Sequence, residues 1–86
     1  MDSPTADAAT LGHRIRHFRA RAGLTLDDLG AAVGVAPSQL SLIENGKREP
    51  RLSLLTSLAT TFGIQLADLL SAEPPDARAA LEIELA

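Results

Sequence analysis

No cysteine occurs anywhere in the chain, which excludes disulfides and thiolate metal sites and makes the cytoplasm the natural compartment. Tryptophan and tyrosine are also missing, and Phe18 and Phe62 supply all the aromatic rings. A core must therefore be built from Leu, Ile, Val and Ala, which favours helices over a β-sandwich or barrel. The apolar runs are far too short to span a bilayer, and MDSPTADAAT has neither the basic nor the apolar region of a secretory signal. The expectation is a soluble protein that makes no use of a membrane.

With 86 residues there is room for one small domain and no second. The net charge of −3 looks wrong for a nucleic-acid binder until its position is considered. Asp2 and Asp7 make the first nine residues acidic. Between Thr10 and Phe62, seven basic residues (Arg14, Arg16, Arg19, Arg21, Lys47, Arg48, Arg51) face the four acids Asp27, Asp28, Glu44 and Glu49. Beyond Gly63 the acids Asp68, Glu73, Asp76, Glu82 and Glu84 outweigh Arg78. A basic middle between acidic ends is compatible with binding a polyanion.

Residues 1–9, polar and interrupted by Pro4, read as a mobile arm. From Thr10, the residues Leu11, Ile15, Phe18 and Ala22 recur at helical spacing, laying one apolar stripe on a first helix that ends near Gly23. Thr25 followed by Asp28 approximates a capping box, so a second helix runs to about Val33. Gly34 stops it, and Pro37 has the preset φ of a first helical position, opening a third helix to Asn45. Leu54, Leu55, Leu58 and Phe62 define a fourth, starting at Ser53 or as early as Arg51, and Leu66, Leu69 and Leu70 a short fifth. Residues 73–86 form an acidic linker or the start of a further segment. Their alternating Leu81, Ile83 and Leu85 suit a strand while DARAALE suits a helix. The pattern stops midway, as expected of a piece of a longer protein or of a dimerising tail.

Two short helices joined by Gly34-Val35-Ala36 have the spacing of a helix-turn-helix. Gly30 leaves space for a close crossing, Gly34 allows a sharp turn, and Leu29, Val33, Leu40 and Ile43 point into a shared core. With LGHRIRHFRARA as first helix, GLTLDDLGAAVGVAPSQLSLIENGKREPRLSLLTSLATTFGIQLADLL resembles helices two to five of the lambda-repressor/Cro-like, or XRE-type, family of bacterial regulators. The resemblance covers about Leu11 to Leu70 and is most specific in LSLIENGKREP. It implies an all-α, compact five-helix DNA-binding domain over residues 10–72, acting as a homodimer on a double-stranded operator in the cytoplasm at the nucleoid. PSQLSLIENGKREPRLSLL and LLSAEPP further resemble the N-terminal part of larger actinobacterial regulators of short-chain acyl metabolism, whose effector region would lie outside this chain.

With Leu40 and Ile43 inward, about 100° per residue turns Ser38, Leu42 and Asn45 to the opposite side, with Ser41 beside them. Ser38 and Ser41 suit base edges, Gln39 on the flank suits an adenine, and Leu42 suits a thymine methyl. Gln39 as a solvated side chain and Leu42 as ordinary core stay open. Phosphate contacts are expected at the helix N-termini marked by Thr25 and Pro37, at Asn45, at Lys47 and Arg48, and at Arg14 on the first helix. Ala36 caps poorly, leaving amides for a phosphate or water. Leu26 stands where the resemblance implies a glutamine that touches the backbone, so that contact is not expected. The resemblance also implies a structural ion pair between Arg19 and Glu44.

His13 and His17 lie one turn apart, but HRIRH has Arg14 where a zinc peptidase needs its glutamate, and Arg16 repels a cation. Neither a metal nor any other cofactor is expected. No nucleophile with a base, phosphate loop or close acidic pair points to catalysis. The alternative to DNA binding is an antitoxin-like or adaptor module that captures a protein through residues 74–86.

Overall fold

The computed structural model describes residues 7–71, which form five helices: α1 (Ala8–Arg21), α2 (Leu26–Val33), α3 (Pro37–Glu44), α4 (Leu52–Phe62) and α5 (Leu66–Leu70). The first six residues of the expected arm and the acidic segment 73–86, with its strand, helix and dimerising-tail readings, lie outside the described residues.

Helix α1 starts two residues before the expected Thr10, because the Asp7 carboxylate accepts from the Thr10 amide at 2.8 Å and caps the helix there. Ala8 and Ala9 thus belong to the helix and not to the arm. Leu11 and Ile15 are buried and Phe18 is partly so, while Ala22, at the C-cap, is exposed and leaves the stripe. The capping box of α2 is complete: Thr25 Oγ1 accepts from the Asp28 amide at 3.0 Å, and the Thr25 amide donates to the Asp28 carboxylate at 3.0 Å. Gly34 takes φ 72°, a left-handed conformation that turns the chain into α3. Helix α3 opens on Pro37 without any side-chain cap and closes at Glu44, with Asn45 as its C-cap. Arg51 is the N-cap of α4, the earlier of the two starts the pattern allowed.

Each helix sends one aliphatic side chain to the centre, and Ile15, Leu29, Leu40, Leu58 and Leu69 are all fully buried. At about 1.5–3 kcal/mol for each buried side chain, this cluster accounts for much of what opposes chain entropy in so small a fold. Leu11, Ile43, Leu55 and Ala59 complete it, with Val33 packed at its edge.

Two glycines let helices approach closely. A Cβ on Gly12 would lie 2.2 Å from the Ile43 carbonyl oxygen and 2.7 Å from that of Glu44, so α1 crosses the end of α3 almost in backbone contact. A Cβ on Gly30 would meet the Val35 carbonyl oxygen at 2.5 Å. These crossings fix α3 against α1 and α2, leaving its opposite side outward.

Candidate nucleic-acid interface

Outward orientation follows from the inward anchors. Leu40 and Ile43 are buried, so their helical opposites Ser38, Leu42 and Asn45 are exposed, and Gln39 and Ser41 flank them half-buried. Leu42 is 39% exposed, which places this leucine on the surface, in contrast to the core alternative. Lys47 and Arg48 stand exposed on the loop beyond the same helix.

Thr25, Pro37, Ser38 and Ser41 line one shallow notch with Arg19, Leu26 and Asp27, where the starts of α2 and α3 converge. The Thr25 oxygen accepts from Asp28 yet keeps its O–H to donate outward. Its neighbours oppose an anion, however. The Asp28 carboxylate is held below the ordinary value of 3.8 by its hydrogen bonds to the Thr25 backbone and side chain, so it is charged at neutral pH. The open N-terminus of α3 has no side-chain cap and no acid in its first turn that would oppose an anion.

Gln39 and Arg48 line a second cleft of about 480 Å³ with Val33, Val35, Glu49, Arg51 and Leu54. Within it an Arg48 Nη1 donates to Gln39 Oε1. Asn45 Nδ2 donates to the Ser41 carbonyl oxygen at 2.8 Å and more weakly to Ser41 Oγ at 3.5 Å.

Arg19 reaches across from α1. Its Nε donates to Glu44 Oε2 at 2.6 Å and its Nη2 to Oε1 at 3.1 Å, while Nη1 donates to the Leu24 carbonyl oxygen at 2.9 Å. The Glu44 side chain is only 5% exposed. This forked pair joins the end of α1, the turn before α2 and the end of α3, and the hydrogen bond to Glu44 raises the arginine's already high pKa.

One expected contact is corrected. Arg14 is only 5% exposed and faces inward, donating from Nε to the Asp68 carbonyl oxygen at 2.8 Å and again from Nη2. That carbonyl belongs to the last turn of α5, where carbonyl oxygens take partners from outside the helix's own ladder. Arg14 therefore ties α5 to α1 and is withdrawn from the phosphate set. Its position three residues after Leu11 and four before Phe18, on the edge of the apolar stripe, was the available signal. The Gln39–Arg48 bond and the cleft-lining Arg51 had no comparable signal, since both depend on how the loop folds back.

The chain matches the helix-turn-helix domain family over residues 10–81. It is 42% identical over 60 residues to the HTH-type transcriptional regulator DdrOP3 of Deinococcus deserti, covering 70% of this chain and 46% of that protein. The chain thus spans about half the length of that relative. An HTH-type transcriptional regulator of Archaeoglobus fulgidus is 39% identical over 56 residues, covering 65% of this chain and 80% of that one. Among solved structures, the clp gene regulator ClgR of Corynebacterium glutamicum superposes with a TM-score of 0.71 at 36% identity, covering 78% of this chain and 71% of that one. The biofilm master regulator SinR, solved in complex with DNA, superposes with a TM-score of 0.65 at 30% identity, covering 69% of this chain and 95% of that one. In sequence and in the arrangement of α1 to α5, then, this chain belongs to the helix-turn-helix domain family and has the lambda-repressor-like fold.

Proposed function

We propose that this chain is the sequence-specific DNA-binding domain of a transcriptional regulator, with α3 lying in the major groove. The observation that carries the reading is the outward face of α3. Ser38 and Leu42 stand opposite the buried Leu40 and Ile43, Gln39 and Ser41 flank them half-buried, and Lys47 and Arg48 are exposed on the loop that follows. A fixed helix with a short polar face reads base edges, and a cationic loop at its end engages phosphate. Phosphate contacts are assigned to the start of α3 at Pro37, to Asn45, Lys47 and Arg48, and more weakly to Thr25.

An isolated domain of this size covers one half-site. The active species is a homodimer on a pseudo-palindrome, with half-site centres about 34 Å apart. The matched segment covers 46% of DdrOP3, and an effector region outside this chain is part of the proposal. The absence of cysteine and of any described helix long and apolar enough to cross a membrane suits work in the cytoplasm, at the nucleoid. The resemblance of PSQLSLIENGKREPRLSLL to regulators of short-chain acyl metabolism supports that regulatory theme.

The test is enrichment of duplexes from a random pool, followed by titration of the enriched site at several salt concentrations. Specific binding whose affinity falls steeply with salt is expected. Failure to enrich any sequence overturns the reading.

A further inference from the structure

The loop after α3 returns along its own helix. Gly46, at φ 74°, directs its amide to the Ile43 carbonyl oxygen at 3.1 Å, and Lys47 directs its amide to that of Leu42 at 2.9 Å. This pair of bonds is the Schellman closure of a helix, and it needs the left-handed residue that glycine supplies. It reverses the chain and lets Arg48 reach Gln39, nine residues earlier, where Arg48 Nη1 donates to Gln39 Oε1.

That bond changes what Gln39 can read. A glutamine with both ends available grips adenine in two places, accepting from the N6 amine through Oε1 and donating to N7 through its amide. Here Oε1 already serves a guanidinium, which has donors only. An adenine or cytosine amine approaching the same oxygen would meet a cation that offers it no acceptor. The second lone pair of Oε1 then lies beside a cation, which disfavours an approaching amine, so what the pair presents most favourably to the groove is the Gln39 amide and Arg48 N–H groups, which are donors. Guanine, with its N7 and O6 acceptors side by side, is the base edge that matches.

We propose that Arg48 positions Gln39 so that it reads chiefly as a donor, turning its base preference from adenine to guanine. One of the five guanidinium N–H groups goes to Gln39, and the others are shared between the base edge and the phosphate backbone, so Arg48 links backbone register to base choice. The inference rests on the DNA-binding reading above and deepens it at one position.

The experiment is selection from random duplexes by the full 86-residue chain, in parallel with Gln39→Ala, Arg48→Ala and Arg48→Lys. The base pair read by Gln39 is the one whose preference disappears in Gln39→Ala. In the unsubstituted protein that position selects guanine. With Arg48→Ala the freed oxygen makes adenine competitive, and the guanine-to-adenine ratio falls by about tenfold, within the range one bidentate contact commands. Arg48→Lys, whose ammonium donates to the same oxygen, restores guanine. Loss of affinity in Arg48→Ala by one factor at every sequence, with base choice unchanged, would make Arg48 a phosphate contact alone and overturn the proposal. Adenine in the unsubstituted protein, or no preference lost in Gln39→Ala, overturns it equally. Each of these leaves DNA binding intact, whereas enrichment of no sequence at all removes the parent reading first.

Discussion

Arg19 grips Glu44 with two parallel hydrogen bonds, of 2.6 and 3.1 Å, and spends a third N–H on the carbonyl oxygen of Leu24. The carboxylate that accepts from this fork sits at the last residue of α3, so the ion pair fixes the end of the helix whose outer face is proposed to read DNA. A buried pair of this kind adds little net stability over an apolar substitute, yet losing one member leaves the other charge without compensation. Glu44→Ala and Arg19→Ala are each expected to cost about 3 kcal/mol. The double variant should cost distinctly less than the sum. Urea denaturation of the four proteins measures the coupling, and additive losses would show the two charges to be independent.

Gly12 gives a sharper steric prediction. Its missing Cβ would lie 2.2 Å from a backbone carbonyl oxygen, which cannot swing aside as a flexible side chain would. Gly12→Ala should therefore destabilise by about 2–3 kcal/mol through forced separation of α1 and α3, despite alanine's better helix propensity. Gly23→Ala is the control, because Gly23 has φ 73° and open space around its Cβ position. It should cost about 1 kcal/mol, from backbone conformation alone. Thermal melts rank the two, and the reverse order would contradict the crossing.

Acid should weaken the caps in a defined direction. Asp7 and Asp28 both have carboxylates held below the ordinary value of 3.8, chiefly by backbone hydrogen bonds to Thr10 and Thr25 respectively. A group whose pKa is lowered by folding contributes stability above its unfolded value and loses it as pH falls through the folded one. The contribution is thus full at neutral pH, begins to fall near the unfolded value of about 4 and is lost as pH drops through the lowered folded value. Asp7→Asn with Asp28→Asn should flatten the fall in Tm between neutrality and pH 3. An unchanged slope would mean that the caps are not linked to folding.

The sequence made the architecture legible because its punctuation is local. Thr25 with Asp28, Gly34, Pro37 and Gly63 each act within one helical turn, and the leucine spacing identifies the inward faces without knowledge of any partner. Arg14 shows where such reading fails: an arginine on the rim of an apolar stripe looks solvated until α5 brings the Asp68 carbonyl oxygen within its reach. Gly12 is a partial case. A mid-helix glycine costs about 1 kcal/mol relative to alanine and so signals a close approach, but nothing in the sequence says that Ile43 and Glu44 supply it. The Gln39–Arg48 contact was hidden for a third reason, since it exists only once the chain has reversed at Gly46.

Lys47 and Ser41 should separate affinity from choice. Lys47, exposed on the loop, is assigned to phosphate, so Lys47→Ala should weaken binding to all duplexes alike and lower the salt slope by about 1. Ser41, half-buried at the notch between α2 and α3, is assigned to a base edge, so Ser41→Ala should alter the ranking of sites and leave the slope unchanged. Titrations of ranked sites across a salt series check both. Equal losses everywhere for both variants would contradict the division of roles.

Leu42 is the residue at which folding and recognition can be cleanly parted. It is 39% exposed, whereas Leu40 on the opposite face is fully buried. Leu40→Ala should cost about 2–5 kcal/mol through its cavity. Leu42→Ala should cost under about 1 kcal/mol, because so much of that side chain already meets water. If the exposed leucine packs on a thymine methyl, its effect depends on that methyl and on nothing else in the base pair. Replacing thymine by deoxyuridine, one position at a time in the enriched site, should weaken binding of the unsubstituted protein at a single position in each half-site. Leu42→Ala should bind the thymine and uracil duplexes equally there. Sensitivity to the methyl that persists in Leu42→Ala would assign the contact to another residue, and the exposed leucine would then need a protein partner instead of a base.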